Sequence, residues 1–297
     1  MHRSARNTIL GALLALAAGV VSPPGASAAF PGANGPIVFQ TFKGEIYSIG
    51  PEGEGLRLLV EENASASNYH PAVSADGRTV AFSRYAVAGG DDLPIELFTV
   101  PISGGAISSL GLLGTQPAFD PSGQRLAFMG YYAARRVLTA GIGGTDKRKV
   151  ARGSDTPTFS PDGQVIAFNG ASEVVRVKVD GSGRRRLTDT DGGASGDPSF
   201  SPEGKTIAFS RFDESSGENS AIWTMRRNGE HAKRLTPESK NSYDPAFSPD
   251  GTKIVFTRTV GKHGGKTRLF VIDRDGSGAH PITEKSLEAE APDWAPR

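Results

Sequence analysis

The chain has 297 residues, 37% of them hydrophobic, with 33 basic and 32 acidic side chains and no cysteine. That balance offers no basic stripe for nucleic acid or an anionic membrane. The missing thiols exclude disulfides, thiolate metal sites, a cysteine nucleophile and a lipid-anchored cysteine.

The first 28 residues read as a targeting segment. His2, Arg3 and Arg6 precede an apolar run from Thr8 to Val21, Pro23-Pro24-Gly25 ends it, and Ala26-Ser27-Ala28 offers a cleavage site before Ala29. The run is short for a spanning helix, so cleavage is expected, with no membrane insertion afterwards. Cleavage removes Arg3 and Arg6, leaving 31 basic against 32 acidic side chains. An exported chain without cysteine points to a bacterial secretion route.

Residues 29–297 are expected to form a single domain. It opens on Gly35-Pro-Ile-Val-Phe-Gln40, an apolar strand, followed by Glu45 to Ile49 and Arg57 to Val60. One sentence then repeats. His70-Pro-Ala-Val-Ser-Ala-Asp-Gly-Arg-Thr-Val-Ala-Phe-Ser83 returns as Gln116 to Met129, Thr156 to Asn169, Asp197 to Ser210 and Asp244 to Thr257. The opening prolines, Pro71, Pro117, Pro157, Pro198, Pro245 and Pro292, are spaced 46, 40, 41, 47 and 47 residues apart.

Each copy predicts a short first strand, a Ser-Pro-Asp-Gly turn whose glycine takes positive φ, and an apolar second strand. A third strand follows (Glu96–Val100, Val137–Ala140, Val174–Val179, Ala221–Met225, Arg268–Ile272), then a Gly-rich hairpin and a short basic fourth strand such as Arg184–Thr188 or Lys233–Thr236. No segment after residue 28 has the length and period of a helix. Four strands at this period predict an all-β, six-bladed β-propeller of four-stranded antiparallel blades. The chain starts on a second strand and ends on a first strand, Ala291 to Ala295, so one blade is expected to be shared by the two termini, leaving no unpaired edge at the seam.

These copies resemble the TolB-like, PD-type (WD40-like) propeller repeat, Pro-x-(Trp/Phe)-Ser-Pro-Asp-Gly-x-x-Ile-Ala-Phe, across residues 35–297. The resemblance implies the fold and an exported location. It does not fix function, because unrelated roles share this repeat. TolB carries an α/β domain before its propeller. Only six residues separate Ala28 from Gly35, so that domain is expected to be absent, and the contact with TolA made through its N-terminal segment has no counterpart to map. No residue matches a contact with the lipoprotein Pal.

Catalytic signatures are weak. No Gly-x-Ser-x-Gly elbow occurs; Gly193-Ala-Ser-Gly-Asp197 fails at its last position. Ser160-Pro-Asp-Gly163 reads as a turn and not as a sialidase box. Asp273-Arg-Asp-Gly-Ser-Gly278, with Glu284 at position twelve, partly matches a calcium loop. The same hairpin at Asp180-Gly-Ser-Gly183 favours a plain turn. His2, His70, His231, His263 and His280 show no metal-ligand spacing. Arg184-Arg185-Arg186 reads as a solvated charge run. No metal or cofactor is expected.

The central funnel remains. The residues before the first-strand prolines, His70, Gln116, Thr156, Asp197, Asp244 and Ala291, differ between copies while their flanks do not. Tyr69 and Tyr243 precede two of them, and the loops after the second strands add Arg84, Tyr85, Tyr131, Tyr132, Arg211, Phe212 and Arg258. Tyrosine and arginine are favoured at binding hot spots. A protein or peptide ligand, a small ligand and merely solvated loop ends all remain open for this face. The expectation is an exported, monomeric, non-catalytic binding module, secreted or held in the periplasm or cell envelope, with a cell-envelope protein or peptide as partner. A hydrolase or lyase using Asp197, Asp244 and His70 is the alternative.

Overall fold

The computed structural model describes residues 29–86, 94–130, 135–153, 155–189, 193–212, 219–261 and 265–297. The expected targeting segment lies outside the described residues. Twenty-three strands and two single-turn 3₁₀ helices, Glu238–Lys240 and Lys285–Leu287, make up the ordered elements.

The chain opens with β1 (Asn34–Thr41), β2 (Ile46–Ile49) and β3 (Arg57–Val60). Next come β4 (Ala66–Val73), β5 (Thr79–Ala86), β6 (Glu96–Pro101), β7 (Ser108–Phe119), β8 (Arg125–Gly130), β9 (Arg136–Gly141) and β10 (Arg148–Arg152). Two four-strand runs follow: β11 (Asp155–Phe159), β12 (Val165–Asn169), β13 (Val174–Lys178) and β14 (Arg185–Arg186), then β15 (Ala194–Phe200), β16 (Thr206–Phe212), β17 (Ser220–Arg226) and β18 (Lys233–Arg234). The last strands are β19 (Ser242–Phe247), β20 (Lys253–Val260), β21 (Lys266–Asp273), β22 (His280–Pro281) and β23 (Ala289–Pro296).

The expectation of six separate four-stranded blades is corrected by the sheet order. Four separate four-stranded blades form: β23-β1-β2-β3, β11 to β14, β15 to β18 and β19 to β22. The other seven strands, β4 to β10, are one continuous sheet. The reason lies in β7. Its twelve residues pair with β6 through Ser108–Leu113 and with β8 through Gly114–Phe119, and no turn interrupts them. Buried residues keep their period of two through Leu110, Leu112 and Gly114, so the strand leaves one pairing and enters the next without a break. Between β3 and β4 a turn, and between β18 and β19 and between β22 and β23 a 3₁₀ helix, separates the outer strand from the next inner one.

The inner segments touch in the order β23, β4, β7, β11, β15, β19 and back to β23, enclosing a central channel. One phenylalanine per repeat fills the space between sheets. Phe39, Phe82, Phe128, Phe168, Phe209 and Phe256, all from second strands, are fully buried, each contributing about 1.5–3 kcal/mol by its burial. The turns form as their residues dictate. At Ser160–Gly163 the Asp162 carboxylate accepts from Gln164 N–H at 3.0 Å and from Ser160 Oγ, Ser160 Oγ accepts from Val165 N–H at 3.1 Å, and Gly163 sits at φ 65°.

The C-terminal strand closes the ring by pairing antiparallel with β1. Trp294 anchors it: the indole is 2% exposed, and its Nε1–H donates to the Gly35 carbonyl at 3.0 Å.

A second interaction links each repeat to the next. Every inner segment carries an X-Pro step with a register shift around it, as between Tyr69 and Ala72 or between Tyr243 and Ala246. Proline has no N–H to donate, so it fits a bulge on an inner edge strand. The residue before it has positive φ in all six cases: His70 (55°), Gln116 (55°), Thr156 (47°), Asp197 (51°), Asp244 (52°) and Ala291 (47°). Such backbone is strained for non-glycine residues and persists only where its surroundings hold it.

A neighbouring side chain does the holding. The N–H of His70 donates to Gln40 Oε1 (2.6 Å), Gln116 to Ser83 Oγ (2.9 Å), Asp197 to Asn169 Oδ1 (2.8 Å), Asp244 to Ser210 Oγ (3.1 Å) and Ala291 to Thr257 Oγ1 (3.2 Å). Each acceptor follows the buried phenylalanine of the preceding repeat. Met129 occupies that place in the remaining repeat and cannot accept; there Gln116 Oε1 takes the Thr156 N–H at 3.0 Å.

Two predictions follow from this clamp and the closing strand. Ser210→Ala leaves the Asp244 N–H without its acceptor and should cost about 1–3 kcal/mol, whereas Met129→Leu should cost under about 1.5 kcal/mol. Equal losses in denaturant unfolding would reject the clamp. Trp294→Ala should cost about 3–5 kcal/mol in the same assay, and a loss near zero would show that the C-terminal strand does not carry closure.

Candidate functional site

The channel holds a cavity of about 360 Å³. Its walls are the six X-Pro steps, so the bulges that strain the backbone also present the residues that vary between repeats. His70, Gln116, Thr156, Asp197, Asp244 and Ala291 all line it, with the six prolines beside them. Glu290, Asp293, Gln40 and Phe30 complete the chemistry.

Among the described residues, four carboxylates reach this space and no lysine or arginine lines it. Asp197 and Asp244 keep part of their surface on the cavity while protein surrounds them. Burial pushes Asp244 well above the usual carboxylate range, and the Asp197 and Glu290 carboxylates add to the rise. Burial raises Asp197 too, opposed by hydrogen bonds from Ser210 and Asn169. Glu290 is raised by burial. Burial brings Asp293 up to about 6, although it accepts from Val73 N–H at 2.7 Å and from Trp294 N–H at 2.9 Å. His70 moves the other way, held down to about 4 by burial, so its imidazole is neutral at pH 7. Its Nδ1 faces Thr115 Oγ1 at 3.3 Å.

The other described candidates stand outside the cavity wall. Arg84, Arg211 and Arg258 occupy one repeated position on second strands, and each lays its guanidinium over an aromatic ring of the third strand: Phe98 at 4.7 Å, Trp223 at 5.3 Å and Phe270 at 4.6 Å. Arg84 Nε–H also donates to Asn68 Oδ1 (2.9 Å) and Arg258 Nε–H to Ser242 Oγ (3.0 Å). Their part is packing within the sheets, worth about 0.5–2 kcal/mol for each cation–π contact. Tyr69 meets Tyr85 edge-on at 5.3 Å, and the Tyr85 hydroxyl bonds Thr115 Oγ1 at 3.1 Å. Tyr243 is half-buried beside Glu290 and Asp244, which with burial raise its phenol. Phe212 is exposed at the end of β16. Tyr131 and Tyr132 lie outside the described residues. At the calcium-like hairpin, Asp273 pairs with Lys253 Nζ at 2.8 Å and Asp275 accepts from Ser277 within its own turn. Among the described residues no three His, Asp or Glu side chains converge as metal ligands.

Asp293, Glu290 and Gln40 are among the lining residues that escape a search confined to the residue before proline. Asp293 follows its proline, where the other repeats have Ala72, Ala118, Thr158, Ser199 and Ala246; reading that position across the copies isolates it. Glu290 and Gln40 sit in the shared blade, where the repeat is split between distant parts of the chain.

The His70 shift predicts a pH dependence. Between about pH 4 and 6.5 the unfolded imidazole takes a proton that the folded one refuses, so this group weakens the fold as pH falls through that window. The melting temperature of His70→Gln should therefore drop less between pH 6.5 and pH 4.5 than that of the unsubstituted chain. An equal drop would reject a buried neutral imidazole.

The geometry has known counterparts. The TolB beta propeller domain family model, PD40, matches residues 53–297. No curated protein matches the chain in sequence. Among solved structures, the chain is similar to TolB from Acinetobacter baumannii (20% identity, TM-score 0.73, covering 89% of this chain and 67% of that one). It is also similar to a TolB-type protein from Agrobacterium tumefaciens (16%, TM-score 0.65, 89% and 99%) and to a chain of a nidogen/laminin complex (14%, TM-score 0.67, 88% and 98%). At these identities the structural likeness speaks for the fold alone. The family match spans most of the chain, which belongs to the PD40 TolB beta-propeller domain family.

Proposed function

We propose that the chain is an exported, non-catalytic propeller scaffold that binds a ligand at the mouth of its central channel. The observation that carries this reading is the lining of the cavity. Repetition is strict wherever the sheets must pack and lapses at the wall, where His70, Gln116, Thr156, Asp197, Asp244 and Ala291 differ. Packing demands the same solution in each repeat; the wall is free to be specific.

Among the described residues the wall offers carboxylates, a neutral imidazole and amide groups and no lysine or arginine. It therefore suits a partner that brings hydrogen-bond donors or positive charge, such as a donor-rich segment of a cell-envelope protein or peptide. Export to the periplasm or cell envelope rests on the residue pattern of positions 1–28 and on membership of the TolB propeller family. The hydrolase or lyase alternative gains nothing from the geometry. In the ring order His70 on β4 stands opposite Asp197 on β15, and its Nδ1 bonds Thr115 instead of a carboxylate.

Capture from a cell-envelope extract with the mature chain as bait tests this. Asp197→Asn together with Asp244→Asn should reduce the captured partner about tenfold or more, as expected when a buried charged contact is removed, with melting unchanged within a few degrees. Undiminished capture would place the partner elsewhere on the molecule, and a turnover abolished by these substitutions would replace the binding reading with a catalytic one.

A further inference from the structure

We propose that Ala29 and Phe30 plug the turn end of the channel, so that the cavity has a single mouth and Phe30 sets its depth. The two residues are adjacent in the chain, yet they pack into different hydrophobic clusters. Ala29, 6% exposed, joins Phe247 and Ala208 of the sheets containing β19 and β15. Phe30, 5% exposed, joins Phe119 and Phe128 on β7 and β8 and Ala81 on β5. In the ring, β7 and β19 lie opposite one another. The dipeptide therefore crosses the channel from wall to wall, and the Phe30 ring faces the cavity.

The crossing lies at the turn end. Each inner segment runs from its X-Pro step to the Ser-Pro-Asp-Gly turn, and Phe119 and Phe247 are the last residues of their strands. The segment that follows is tied to the turns as well. Gly32 N–H donates to the Pro249 carbonyl at 3.2 Å, Asn34 Nδ2 donates to Asp250 Oδ2 at 2.9 Å, and the Ala33 carbonyl accepts from Arg297 N–H at 2.9 Å. These bonds hold residues 32–34 against the end of the channel away from His70 and Asp244.

The chemistry of the two ends then differs. The mouth is polar and acidic. The floor is an aromatic ring set among apolar side chains. A ligand that fits carries its polar or cationic group toward the mouth and an apolar part toward Phe30, within about 360 Å³. This consequence for the ligand rests on the cavity being the binding site, whereas the plug itself does not. Cleavage before Ala29 would leave the plug as the new N-terminus of the chain.

The absence of cysteine allows a direct test with single thiols and a cationic methanethiosulfonate reagent. One thiol is introduced by Thr156→Cys at the mouth and another, separately, by Ala118→Cys on the wall beside Phe119. With Phe30 in place the wall thiol is reached through the mouth alone, and Phe30→Gly should raise its rate about tenfold while leaving the mouth rate within about twofold. A Phe30→Gly change that leaves the wall rate unchanged overturns the plug, and so does one that speeds both sites equally. Hydrogen exchange on the unsubstituted mature chain needs no variant: the Gly32 amide should be protected about a hundredfold or more, and exchange at the unprotected rate overturns the proposal. Undiminished envelope capture by the chain carrying Asp197→Asn and Asp244→Asn, with the thiol rates as expected, would reject the binding reading alone.

Discussion

The X-Pro step of the inner strands is the constraint on which the rest of this molecule depends. It combines a residue of positive φ, a proline without an N–H and an acceptor from the preceding repeat. Left alone, the left-handed residue costs about 1–2 kcal/mol. Bonded to the neighbouring sheet, the same residue becomes a joint. The joint fixes the angle between neighbouring sheets and bends the inner edge so that side chains reach the channel. Stability and site construction thus share one device.

This sharing explains the division of labour along each repeat. The phenylalanine of the second strand and the turn glycine are held constant by packing and by φ. The residue that follows the phenylalanine need only accept a hydrogen bond, so Gln40, Ser83, Asn169, Ser210 and Thr257 all serve. The residue before proline is held through its backbone N–H, so the clamp does not dictate which side chain stands there. The one repeat with Met129 shows the limit of this freedom: the acceptor is then recruited from Gln116, a residue of the wall itself.

Among the described residues the wall gathers four carboxylates around a neutral imidazole with no lysine or arginine beside them. Burial disfavours their ionised forms, and Asp197 and Glu290 further discourage ionisation of Asp244. Hydrogen bonds from the protein oppose this rise without cancelling it. A partner bringing donors or positive charge would relieve it, and the apolar floor at Phe30 would receive the rest of the partner.

Much of the architecture was legible from the residues because it repeats. The period, the turn chemistry and the alternation of apolar strands specify sheets of short antiparallel strands around a channel, and the leftover strands at the two ends of the repeat array specify a shared blade. The wall residues before the prolines were legible too, as the varying member of a constant sentence. Other features depended on three-dimensional packing. Whether two successive blades separate or merge depends on the backbone path at Gly114, where β7 continues without a turn and replaces two expected blades with one seven-stranded sheet. That Arg84, Arg211 and Arg258 stack on rings within the sheets follows from cross-strand register, which single-strand reading does not supply. That Asp293, Glu290, Gln40 and Phe30 meet His70 and Asp244 follows from ring closure, which brings residues more than 200 positions apart to one wall. Local chemistry dictates each unit; only the closed ring decides which side chains face one another across the channel.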